Sequence, residues 1–106
     1  MSLFIAAKAA KGNGMSQYTI WRGPRVEAEI GFSRSTIMRR IKRGLWPQPI
    51  QLSRRSVGWR AQEVAEMNAA LIRGASEDEI RKLVRALEQG RKTIMPTSPA
   101  HDAATA

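Results

Sequence analysis

Apolar positions recur with helical spacing in four stretches of this chain and with alternating spacing in a fifth. The first stretch, Pro24 to Gly31, has proline where a helix tolerates it and acids at Glu27 and Glu29. Val26 and Ile30 share one face, and the closing glycine is able to take the left-handed C-terminal conformation. Ser33 is a good N-cap for a second helix, Arg34 to Arg43, which Gly44 stops, and Phe32 is positioned to bury itself beneath the turn. With Ile37 taken as zero and about 100° per residue, Ile41 falls at ~40°, Leu45 at ~80° and Met38 at ~100°. Ser35, Thr36, Arg39, Arg40 and Arg43 then occupy an arc from ~160° to ~300°. Two short helices joined by Gly31-Phe32-Ser33 have the form of a helix-turn-helix.

Prolines in Trp46-Pro47-Gln48-Pro49 forbid further helix, and the alternation in Ile50-Gln51-Leu52 and Val57-Gly58-Trp59 predicts a β-hairpin. Its inner face is expected to bury Ile50, Leu52, Val57 and Trp59, with Arg54 and Arg55 held at the tip between Ser53 and Ser56. Trp46 and Trp59 sit at apolar positions and are expected in the core rather than as base-stacking platforms. Ala61 to Ile72 continues helically with Val64, Met67 and Leu71 on one face, ending at Gly74. Ser76-Glu77-Asp78-Glu79 is a capping box, followed by Ile80, Leu83, Val84 and Leu87 at i, i+3, i+4 and i+7 and by Gly90 as a stop. The expected fold is mainly α: a winged helix-turn-helix with a short β-hairpin wing and an additional C-terminal amphipathic helix. Residues 18–73 form the first unit and 74–92 the second helix-bearing one. Residues 1–17 and 93–106 lack an apolar pattern and are expected to be disordered tails. Met15 follows Lys11-Gly12-Asn13-Gly14, whose purine-rich codons resemble a ribosome-binding site, so the natural product is expected to begin there; intact mass tests this.

Charge changes the picture more than length does. The net charge is +9 over 106 residues, and a span from Tyr18 to Arg60 holds ten bases against two acids, nine of the ten being arginine. That suits recognition of phosphates and guanine edges better than a lysine-rich solubilising surface would. The second helix contains no acid, so the salt-bridge pattern of an ordinary solvated helix is missing. Arg34, Ser35, Thr36, Arg39, Arg40 and Arg43 are therefore candidate DNA contacts of a recognition helix, and Arg54 and Arg55 of a wing. The plainer alternatives are a solvated helix and a polar turn. There is no cysteine, and the single histidine, His101, sits in the polar C-terminal stretch, so zinc sites and His-dependent triads lack their groups. No catalysis, cofactor or metal is expected, and no apolar run reaches the roughly 20 residues of a membrane span. A cytoplasmic, nucleoid-associated protein is expected. The stripe Ile80, Leu83, Val84 and Leu87 has two readings, a lid on the domain's own core or a surface for self-association.

The ordered series Gly31-Phe32-Ser33-Arg34-Ser35-Thr36-Ile37, Ile41-Lys42-Arg43-Gly44, Trp46-Pro47, Pro49-Ile50, Val57-Gly58-Trp59-Arg60 and Glu63-Val64 resembles the AlpA family of phage and prophage regulators, related to MerR-type winged helices and excisionases. The resemblance covers about Tyr18 to Ala70. It implies that Ser35, Thr36 and Arg39 face the groove, that Arg55 is the wing arginine, and that the protein binds double-stranded DNA as an activator or as a recombination directionality factor. Met38 stands where an aromatic residue is common in that family, and Met67 where tryptophan is common. Candidate partners besides DNA are a second copy of the chain, as a homodimer or DNA-templated oligomer, and an integrase. Competing classes are a protein-interaction adaptor or antitoxin-like protein working through the C-terminal helix, and an RNA-binding protein, for which exposed aromatic residues are few.

Overall fold

The computed structural model describes residues 17–94. The expected tails, apart from Gln17, Thr93 and Ile94, and the expected start at Met15 lie outside the described residues. Strand β1 (Ile20–Arg22) runs directly into helix α1 (Gly23–Ile30), which is followed by α2 (Arg34–Lys42), β2 (Ile50–Ser53), β3 (Ser56–Arg60), α3 (Ala61–Ile72) and α4 (Glu77–Gly90). A short 3-10 turn, Arg91–Thr93, follows.

Local signals in the sequence set the helix ends. Gly31 at φ 80° closes α1, its N–H donating to Glu27 O at 2.8 Å. The Ser33 hydroxyl accepts from the Thr36 N–H at 3.1 Å and caps α2. Gly74 takes φ 76° after α3, and the full capping box of Ser76 and Glu79 opens α4. The expected stop at Gly90 is not made: this glycine stays right-handed, at φ −60°, and the chain winds on into the 3-10 turn.

The three antiparallel strands lie in the order β1-β3-β2. Strand β1 has no counterpart in the sequence-based expectation. It is three residues long and exists because Ile20, Trp21 and Arg22 pair with Arg60, Trp59 and Gly58. The register also corrects the expected hairpin face. Ile50 opposes Gly58 and Gln51 opposes Val57, so Ile50 lies on the face opposite to Val57 and Trp59. A bulge between Gln51 and Ser53 leaves Leu52 39% exposed. On this outer face, Gly58 supplies no side chain, and a Cβ there would sit 2.9 Å from Ile20 Cγ2 and 3.1 Å from Leu52 Cδ1. Of the four residues expected inside, only Trp59 is buried.

The core lies between the inner face of the sheet and all four helices. It contains Val26, Ile37, Leu45, Trp46, Trp59, Val64, Met67 and Ala70, joined by Ile80 and Val84 from α4. Trp59 donates its indole N–H to Pro47 O at 2.8 Å, and Phe32 packs edge-on to Trp46 at 6.3 Å beneath the turn. Helix α4 is thus the lid of the two readings. Ile80 and Val84 are 3% and 4% exposed, and Leu83 and Leu87 are half-buried against the same cluster, so the stripe packs on the chain's own core and does not stand free for self-association.

Polar groups tie the lid down. Among the described residues Glu63 is the buried charged side chain, at 1% exposure. Arg91 donates to both of its carboxylate oxygens at 2.7 and 2.6 Å and to Gln48 O at 2.8 Å. Gln48 N–H in turn donates to Glu88 at 2.8 Å, which clamps the connection between α2 and β2 onto α4.

Candidate nucleic-acid interface

The six side chains expected to work together on α2 are parted by its neighbours. Thr36 is half-buried and turned back to the cap, its hydroxyl accepting from Ser33 Oγ at 3.1 Å. Arg40 lies with its guanidinium 5.2 Å from the Phe32 ring centre and its Nε buried without a partner. Burial pulls its pKa below the usual guanidinium value; the Glu77 carboxylate opposes that shift and Arg43 adds to it. Arg43 donates to both oxygens of Glu77 at 3.2 and 3.3 Å, and its own carbonyl accepts from Arg81 Nε at 2.9 Å. These three residues form the flank of α2 that leads towards α4.

The open face holds Arg34, Ser35 and Arg39 from the expected set, together with two residues not in it, Met38 and Lys42. Ser35, Met38, Arg39 and Lys42 stand at i, i+3, i+4 and i+7, one continuous stripe. Lys42 could have been found at ~140° on the same projection, between Met38 and Ser35. The projection fixes relative angles only. The contacts of the Thr36, Arg40 and Arg43 flank with the cap, Phe32 and α4 set which arc meets solvent.

A groove separates this stripe from the hairpin. Arg34 and Met38 stand on one side, Arg55 and Val57 on the other, and Ile37 and Trp59 lie buried at its floor. Arg22, a base outside the expected set, closes the end where β1 meets α1. Its strand is too short to show a period in sequence. Glu27 is the carboxylate among the lining residues. Arg54 and Arg55 are both exposed at the two-residue turn of the wing, which is stiffened by the Ser53 and Ser56 hydroxyls 2.8 Å apart and by the Gln51 amide donating to Ser53 O.

Charge pairing separates these bases from five other arginines. Arg25, Arg43, Arg60, Arg81 and Arg91 each have a carboxylate within ion-pair distance. Among the described residues, Arg22, Arg34, Arg39, Lys42, Arg54 and Arg55 have none, nor do Arg40 on the flank of α2 and Arg73, Lys82, Arg85 and Lys92 elsewhere. Arg22, Arg34, Arg39, Lys42, Arg54 and Arg55, most of them round one groove and one helix face, form a surface to which a row of phosphates is the natural counter-charge. Among the described residues no group of three or more His, Cys, Asp or Glu could hold a metal ion, and no helix is long and apolar enough to cross a membrane.

A helix-turn-helix whose second helix and β-hairpin share one basic surface defines a winged-helix-like domain. Residues 19–69 match the family described as prophage CP4-57 regulatory protein (AlpA), and this segment belongs to that family of phage-associated, DNA-binding regulators. The match runs from β1 into α3, and α4 lies beyond it. No curated protein and no solved structure gives a significant match.

Proposed function

We propose that the chain is a sequence-specific double-stranded DNA-binding regulator of a phage or integrated mobile element, acting as a transcriptional activator, as an excisionase-like directionality factor, or as both. The reading is carried by the continuous basic surface in which the open stripe of α2 and the wing share one groove without carboxylate partners of their own. Helix α2 enters the major groove with Ser35 and Arg39 towards base edges and Arg34 and Lys42 towards flanking phosphates. Arg54 and Arg55 reach phosphate or the adjacent minor groove. Thr36, Arg40 and Arg43 support the helix from its flank, Thr36 through the cap, Arg40 over Phe32 and Arg43 through Glu77. A single module of this size reads few base pairs, so a second copy on an adjacent site, brought together on DNA, is part of the reading. An integrase is the partner class for the directionality role.

The test is binding-site selection from randomised duplexes with the wild-type chain and with Arg39→Ala. The variant is expected to lose about 1–3 kcal/mol on the selected site and to relax preference at one or two base pairs. A variant that returns the wild-type motif at full strength, or a wild type that selects no motif, overturns the reading.

A further inference from the structure

We infer that Met38 reads the C5 methyl group of a pyrimidine in the major groove. The inference rests on the proposed function and extends it from the cationic residues to an apolar one. On the helical projection Met38 lies at the edge of the apolar arc, where a core position is the ordinary outcome. In the fold it is 46% exposed. Its neighbours on the open surface of α2 are Arg34, Ser35, Arg39 and Lys42, and Arg55 faces it across the groove. One thioether therefore stands within a ring of hydrogen-bond donors, at the centre of the stripe that the proposed function turns towards base edges.

A surface of this composition fits a polyanion that carries an apolar point between its phosphates. In the major groove that point is the methyl on C5 of a pyrimidine, present in thymine and in 5-methylcytosine. Other base-edge groups there are donors or acceptors, and a thioether satisfies them poorly. Methionine is unbranched and polarisable, so its side chain adjusts to a methyl whose position varies with local groove geometry. Met38 is adjacent to Arg39 in sequence and on the same stripe, so the methyl lies within a base pair or two of the position that Arg39 discriminates.

The experiment uses the site selected by the wild-type chain. Each thymine in turn is replaced by uracil, which removes the methyl and leaves every hydrogen-bonding group in place. At one position near the Arg39-dependent base pair the wild type is expected to lose about fourfold in affinity, the worth of one buried methyl. Met38→Ala is expected to be indifferent to that replacement, and Met38→Leu to keep the wild-type sensitivity. Where the critical pyrimidine is cytosine, 5-methylation is expected to strengthen the wild type by a similar factor and leave Met38→Ala unmoved, which separates the two sources of the methyl. The inference is overturned if the wild type ignores both removal and addition of every methyl, or if Met38→Ala retains the wild-type response. In those outcomes specific binding persists and the proposed function stands. A wild type that selects no duplex motif overturns both. Met38 is half exposed, so the alanine variant is expected to match the wild-type circular dichroism spectrum.

Discussion

A carboxylate at 1% exposure must be answered by cations, and Glu63 is answered by Arg91 at two points, with Arg60 Nη1 further off at 3.8 Å. Removing one member of such a pair strands the other in a low-dielectric site, which costs far more than the pair contributes net. Arg91→Ala is therefore expected to lower stability by about 3 kcal/mol, the lower end of the usual range because Arg60 stays close. Urea unfolding checks it. Glu63→Leu combined with Arg91→Met is expected to cost much less than Arg91→Ala alone, because no charge is left unanswered. An Arg91→Ala midpoint equal to wild type would mean that the 3-10 turn is not docked in solution. Sequence reading noticed Glu63 only as part of a motif, since nothing local announces that a residue 28 positions later closes over it.

At the scale of elements, the helices and the wing hairpin were legible, whereas strand β1 and the inward face of the hairpin were not. Ser33, Ser76, Gly31 and Gly74 carry their signals within a few residues, so caps and stops fall where hydroxyls and glycines stand. Strand β1 and the faces of the hairpin depend on partners far along the chain. Alternation in Ile50-Gln51-Leu52 is real, but the bulge and the turn decide which side meets the core. Two elements give direct expectations. Replacing both Arg54 and Arg55 by Ala should make the log–log salt slope of DNA binding shallower by up to about 2, if both wing cations meet phosphate. A slope that does not move, with circular dichroism unchanged, would mean that the tip points away from DNA. Because α4 is part of the core, Ile80→Ala should cost about 2–5 kcal/mol in a urea melt. An unaltered midpoint would mean that the helix only rests on the domain.

Over the whole molecule, net charge pointed to a polyanionic partner, and the segment that carries it is the one that builds the basic surface. What sequence did not settle was its membership. Arg40 and Arg43 are as basic as Arg39, yet Phe32 and Glu77 occupy them, while Lys42, Arg22 and Met38 meet solvent because of where α4, β1 and the wing lie. The unpaired cations gathered round the groove and the wing have a further consequence, in the free protein's own stability. Like charges gathered on one side of a small domain repel, and that repulsion is a standing load on the native state. Mobile ions relieve it. Thermal denaturation of the DNA-free chain is therefore expected to move to higher temperature as sodium chloride rises from about 50 to 200 mM, while over the same range duplex affinity falls steeply. Bound duplex supplies the missing counter-charge and adds its own mass-action stabilisation, so with DNA present at fixed concentration the salt trend should flatten or reverse. Scanning calorimetry with and without duplex reads both signs. A free chain whose melting point falls on adding salt would mean that its surface cations are already balanced.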